Sequence, residues 1–85
     1  MQMFVISDNN DTYMGFRLCG VDGVVVHTEK ELSDALEKAV ADQDIGILLL
    51  TEKLVDLCPA KISKLKRTLS TPLLVEIPDR HGSGR

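Results

Sequence analysis

The side chains best suited to chemistry lie together near the start of the chain, in the loop Ser7–Thr12, which reads SDNNDT. The loop follows an apolar run, Met3–Ile6, and precedes a short segment that ends at Gly20. This order predicts a strand, a loop and a helix, the opening of a βαβ unit. Open α/β sheets bind ligands at the carboxyl ends of their strands, so Asp8 and Asp11 are placed where they could hold a metal ion.

A phospho-receiver domain of flavodoxin-like architecture is one interpretation of Asp8 and Asp11, because such domains pair acidic residues after the first strand. They also need a phospho-acceptor aspartate after the third strand and a lysine after the fourth. The matching stretches here are Leu50–Glu52 (LTE) and Glu76–Pro78 (EIP), which have neither residue. This signalling domain, with its metal site at Asp8 and Asp11, is therefore the alternative interpretation.

The remaining motifs argue against catalysis and against a bound cofactor. A nucleotide site needs a glycine-rich turn such as GxGxxG or GxxxxGK[ST], and the sequence contains neither. Cys19 and Cys58 lie far apart, without a CxxC motif, which favours buried or half-buried thiols over a metal site or a disulfide. We predict no catalytic residue, no metal and no cofactor.

Composition indicates one small domain with an aliphatic core. The chain has 85 residues, of which 44% are hydrophobic and only 4% aromatic. A formal net charge of −3 disfavours nucleic-acid binding. The first residues lack a basic segment, and their apolar run is too short for a signal peptide or a membrane span. We expect a cytoplasmic protein that does not insert directly into a membrane.

Hydrophobic periodicity alternates between strands and helices along the chain. The predicted strands are Met3–Ser7, Val24–His27, Ile45–Leu50 and Leu73–Ile77, and the first helix is Thr12–Cys19, capped by Asp11 or Thr12. Right-handed crossovers then favour a four-stranded parallel sheet of order 2-1-3-4 in a three-layer, flavodoxin-like or Rossmann-like α/β fold. The first helix lies on one face and cannot cover it alone. Residues 1–78 form the predicted domain, and residues 79–85 a flexible polar tail.

Two further helices have distinct signals. Thr28 and Glu31 form a capping box before an apolar stripe of period 3.6 that contains Leu36. Thr51 is predicted to cap the third helix, which Pro59 interrupts and restarts. The second part of this helix is basic (Lys61, Lys64, Lys66 and Arg67), which is more typical of a solvated helix than of a binding patch.

Three motifs in register resemble one family, the F subunit of the V-type and A-type rotary ATPases in its prokaryotic form. The first, Ile6–Gly20 (ISDNNDTYMGFRLCG), resembles IGDxDTVxGFRLAG; the second, Asp44–Glu52 (DIGILLLTE), resembles DIGIILITE; the third is Pro72–Pro78 (PLLVEIP) with a following Gly-Ser. They span nearly the whole chain. The sequence departs from the family at Ser7, which replaces a glycine, and in a loop one residue longer.

The resemblance implies a non-catalytic subunit of the central stalk, bound to the coiled-coil D subunit of the rotor inside the catalytic head of a complex that moves protons or sodium ions. The family usually carries a C-terminal helix after the Gly-Ser, whereas this sequence ends at Arg85. We therefore expect an uncovered sheet face that favours partner binding or self-association. The candidate partner-binding residues are Asp11, Phe16, Arg17 and Glu52.

Overall fold

The structure, a computed structural model, describes residues 2–78. Its elements are β1 (Gln2–Ser7), α1 (Asn10–Leu18), β2 (Asp22–Val25), α2 (Glu29–Ala41), β3 (Ile45–Thr51), α3 (Glu52–Leu57), α4 (Pro59–Thr68) and β4 (Leu73–Ile77). The predicted tail, residues 79–85, lies outside the described residues.

The four strands form one parallel sheet in the order β2-β1-β3-β4, which confirms the predicted α/β fold and strand order. α1 packs on β1 and β2 on one face, while α2, α3 and α4 cover the other face. β3 is buried over most of its length because it lies between β1 and β4 and is apolar on both faces. The carboxyl ends of β1 and β3 are therefore neighbours at one edge of the sheet.

The core lies between the sheet and α2–α4 and is aliphatic, as the composition predicts. Its buried side chains are Ile6, Val26, Leu32, Leu36, Ala39, Ile45, Leu48, Leu50, Leu54, Cys58, Ile62 and Leu74. On α2 the buried residues are Leu32, Leu36 and Ala39, which lie on the predicted apolar stripe. The exposed face of the helix is charged. Hydrophobic burial on this face is the main source of the stability of the domain.

α2 begins with the predicted capping box. The Thr28 hydroxyl accepts from the Glu31 amide at 3.1 Å, and the Glu31 carboxylate accepts from the amides of His27 (2.9 Å) and Thr28 (3.1 Å). These backbone donors, with a smaller contribution from the Thr28 side chain, lower the pKa of Glu31. Because the pKa is lowered on folding, this contribution to stability is present above the ordinary glutamate pKa and is lost as the pH falls through the folded value.

Two predicted elements of the amino-terminal βαβ unit were placed wrongly. α1 begins at Asn10 rather than Thr12, because the Asn9 side chain caps it by accepting from the Thr12 amide at 2.7 Å. β2 is Asp22–Val25 rather than Val24–His27, because Gly23 lies beside Val5 in the sheet register and no Cβ would fit there. The end of α1 before Gly20, which has φ of +84°, agrees with the prediction.

The third predicted helix is divided as expected, but the side chain of Thr51 does not cap it. α3 ends at Leu57 and α4 begins at Pro59, in the first helical turn, where its missing N–H costs nothing. Thr51 stands at the start of α3 without a side-chain capping bond. Cys58 is buried as predicted, whereas Cys19 is exposed at the end of α1, which corrects the expectation for that thiol.

Candidate functional site

The loop between β1 and α1 is held by its own hydrogen bonds. The buried Ser7 hydroxyl donates to the Asn9 carbonyl at 2.7 Å and accepts from the Asn9 amide at 3.0 Å. The Asn9 side chain in turn caps α1 through Thr12 and donates to the Asp8 carboxylate at 3.1 Å. The polar residues that suggested a ligand site therefore build the turn and start the helix.

A second set of contacts joins the loop to β3. The Asp8 amide donates to the Thr51 hydroxyl at 3.1 Å, which ties the end of β1 to the end of β3. Thr51 is buried, and its hydroxyl makes this bond to the loop and no capping bond to α3. Hydrogen bonds therefore connect the loop both to the end of β3 and to the start of α1.

The chemical groups of this edge offer little for catalysis. The Asp8 carboxylate accepts from the Asn9 side chain, and within residues 2–78 no three His, Cys, Asp or Glu side chains converge in a way that could hold a metal ion. Cys58 lies on the other side of the sheet, where burial and then the charge of Glu29 raise the pKa of its thiol, against a weaker lowering by Lys61. A raised pKa disfavours the thiolate that nucleophilic catalysis needs.

We predict that millimolar Mg²⁺ or ATP leaves the melting temperature unchanged relative to NaCl at matched ionic strength. A ligand that binds only the folded state at 100 times its Kd would add about 2.7 kcal/mol, a rise on the order of 10 °C for a domain of this size. Differential scanning fluorimetry measures this directly. A rise of that size with Mg²⁺, abolished in Asp8→Asn, would instead favour the phospho-receiver interpretation.

The structure places two of the four candidate partner-binding residues at the same carboxyl edge. Asp11 lies exposed in the first turn of α1, where a negative charge also favours the helix dipole. Glu52 is the first residue of α3, directly after β3, and is only 6% exposed. Asp11 therefore presents more surface to a partner than Glu52 does.

The other two candidates, Phe16 and Arg17, lie toward the opposite end of α1. Phe16 is half-buried and shares the sheet-facing side of the helix with Thr12 and Tyr13, as the spacing of three and four residues requires. Arg17 is exposed and pairs with Asp22 at the start of β2. The outward side of α1 is instead formed by Met14 and Leu18, which are spaced four residues apart and are 54% and 86% exposed.

The face of the sheet beneath α1 is only partly covered by the described residues. Side chains that alternate with the core residues along β1, β3 and β4 point to this face, because successive strand residues lie on opposite sides. Beyond the reach of α1 they form a surface that we call the open half-face, made of Met3, Ile47, Leu73, Val75 and Ile77. The topology predicted a thinly covered face, but these residues were not singled out from the sequence.

No helix within residues 2–78 has both the length and the apolar character that crossing a bilayer requires.

Comparison with known proteins finds a family model and several relatives that all carry the description of an ATP synthase F subunit. Residues 3–85 match the family model described as ATP synthase (F/14-kDa) subunit. The chain is similar to the A-type ATP synthase F subunit of Methanosphaera stadtmanae, with 35% identity over 86% of this chain and 69% of the relative.

Two further relatives show similar values. The A-type ATP synthase F subunit of Thermococcus kodakarensis is 32% identical over 98% of this chain and 79% of the relative. That of Pyrococcus abyssi is 34% identical over 93% of this chain and 77% of the relative. The similarity therefore extends across nearly the whole of the described domain.

Proposed function

Because the chain belongs to the family of ATP synthase (F/14-kDa) subunits, we propose that it is a non-catalytic subunit of the central stalk of a rotary A-type or V-type ATPase. In this role it binds the coiled-coil D subunit and turns with it inside the catalytic head. It supports the coupling of ATP turnover to proton or sodium transport, and it lies in the cytoplasm, peripheral to the membrane. The match of the family model across residues 3–85 is the observation that carries this proposal.

The geometry supports a binding role rather than a reaction. The polar loop after β1 is occupied by the hydrogen bonds that cap α1. The face of α1 turned to solvent, by contrast, carries Met14 and Leu18, and exposed apolar area marks interaction sites. We propose that the D subunit contacts this side of the domain, with Asp11, Phe16 and Arg17 as the candidate contacts on α1 and Glu52 as a candidate contact at the carboxyl edge of the sheet.

The experiment is co-purification of the chain with the coiled-coil D subunit of the same ATPase, followed by affinity measurements on Phe16→Ala and Arg17→Ala. We expect a stable complex, and weaker binding for each variant, since aromatic and arginine side chains are enriched among interface hot spots. Arg17→Ala should keep its stability, because its ion pair with Asp22 is exposed.

Phe16 is half-buried on the sheet-facing side of α1, so Phe16→Ala could lower both partner affinity and stability. Melting curves separate the loss of stability from the loss of affinity. Lys64→Ala, on the exposed face of α4, is the matched control on the opposite side of the domain. Full affinity in both folded α1 variants, with reduced affinity for Lys64→Ala, would move the interface to the basic helix α4. Failure of any complex to form would contradict the assigned role.

A further inference from the structure

In two neighbouring rows of the sheet register, the side chain on β4 is the most exposed. In the central row of the register, Val5 is fully buried, Leu49 is 6% exposed and Val75 is 37% exposed. In the next row toward the amino ends of the strands, Met3 is 41% and Leu73 is 60% exposed. The middle of β1 and β3 is therefore covered, and exposed apolar side chains remain along β4 and at the amino end of β1.

The dimensions of the open half-face match a single helix. Neighbouring strands lie about 4.8 Å apart, so Met3 on β1 and Leu73 on β4, with Ile47 of β3 between them, are about 10 Å apart, which equals the diameter of an α-helix. β4 has five residues. At about 3.3 Å per residue it is about 17 Å long, enough for three helical turns. A helix lying beside α1 would complete the layer on this face.

The charges around the open half-face are acidic. Asp42 and Asp44 are exposed at its amino end, where the Asp44 carbonyl accepts from the Gln2 amide at 2.8 Å and so holds the loop against β1. Asp8 follows β1 at the carboxyl end of the sheet. Apart from Arg17, which pairs with Asp22, the lysines and arginines of residues 2–78 lie on the helices of the opposite layer: Lys30, Lys38, Lys53, Lys61, Lys64, Lys66 and Arg67.

We propose that the open half-face is the docking site for one amphipathic helix of a partner protein, with an apolar stripe of about three turns and lysine or arginine residues at both ends. The apolar stripe covers Met3, Leu73 and Val75, and the basic ends meet the acidic residues at the two edges of the sheet. The inference rests on the proposed function only for the identity of the protein that presents this helix.

The test uses two designed peptides of about 21 residues with the same leucine stripe, one with lysine and one with glutamate at both ends of the stripe. Fluorescence anisotropy with the full chain gives their affinities. We expect the lysine peptide to bind at least about tenfold more tightly, because its charges are complementary to the acidic edges. Its binding should weaken as NaCl is raised, because exposed charge pairs are screened by salt.

Variants locate the binding surface. Leu73→Ser and Val75→Thr remove apolar area from exposed positions on β4, and each should lower the affinity for the lysine peptide by about tenfold. Leu57→Ser is the matched control, an exposed leucine at the end of α3 on the opposite layer, and should leave binding unchanged. Asp44→Lys should weaken binding of the lysine peptide, whereas Asp34→Lys on α2 should not. Melting curves confirm that each variant is folded.

Three results would overturn the inference. Equal affinity for both peptides would show that charge does not select the helix. An equal loss of lysine-peptide binding in Leu57→Ser would show that the peptide does not bind at the open half-face. Dimerisation that Leu73→Ser abolishes, without binding of either peptide, would assign the open half-face to a second copy of the chain.

Two outcomes separate the inference from the proposed function. Binding of the lysine peptide, with no complex between the chain and the coiled-coil rotor protein, would contradict only the proposed function. A complex with that protein that Leu73→Ser and Val75→Thr leave unaffected, with no binding of the lysine peptide, would contradict only the inference.

Discussion

Replacing Leu36 by alanine is expected to cost about 2–5 kcal/mol, because it removes a fully buried side chain and leaves a cavity between α2 and the sheet. A domain of this size has a total stability of roughly 4–13 kcal/mol, so the variant should lose a large share of it. Leu36 also lines the groove between α2 and α4, together with Val40 and Leu65. Urea denaturation of both proteins measures the difference.

Three comparisons make the result interpretable. Leu18→Ala makes the same chemical change at a leucine that is 86% exposed, and it should alter stability only slightly. Leu36→Val removes one methylene group and should cost about 1 kcal/mol, which keeps the measurement possible if Leu36→Ala does not fold. Thr28→Ala removes the N-cap of the same helix and should also cost about 1 kcal/mol. If Thr28→Ala were more damaging than Leu36→Ala, the packing of α2 would differ from that described.

Features that depend on local chemistry or on hydrophobic periodicity were predictable from the sequence. The capping box of Thr28 and Glu31, the helix break at Pro59 and the continuously apolar β3 all follow from neighbouring residues. The strand order followed because right-handed crossovers leave few alternatives for such a pattern. These elements could be predicted because local preference and tertiary packing favour the same conformation.

The boundaries around α1 and β2 could not be predicted because several residues compete for the same role. Asn9, Asp11 and Thr12 are all good N-caps, and only the bonds between Ser7 and Asn9 select Asn9. The position of β2 depends on which residue can approach Val5 in the neighbouring strand, and this is a tertiary requirement.

The candidate site shows the same division between local and tertiary information. The sequence indicated that one short helix cannot cover a sheet face, and the exposed apolar side chains of β4 and of Met3 on β1 agree with that reasoning. It did not indicate which side chains remain exposed, because Leu73 and Val75 are separated from Met3 by nearly the whole chain. Phe16 and Arg17 drew attention by residue type, although one packs on the sheet and the other pairs with Asp22.

The largest effect of a single added methyl group is expected at Gly23. In the register of the sheet Gly23 lies beside Val5, and a Cβ at position 23 would overlap both the Val5 carbonyl oxygen and its Cγ1. The carbonyl belongs to β1, which is held between β2 and β3 and cannot move without loss of its pairing. Gly23→Ala should therefore destabilise the domain by about 3 kcal/mol or more, the upper range for overpacking a native structure.

β2 is an edge strand, so it can move away from β1 and relieve the overlap between a Cβ at position 23 and Val5. Native-state amide exchange should show this as faster exchange in β2 and at the end of α1, where Arg17 pairs with Asp22, while β3 stays protected. Gly15→Ala is the matched control, because a Cβ there meets no atom within 4 Å and lies inside α1. Alanine should strengthen that helix by about 0.5–1 kcal/mol, so the two substitutions have opposite signs. Unchanged stability in Gly23→Ala would show that β2 pairs with β1 in another register.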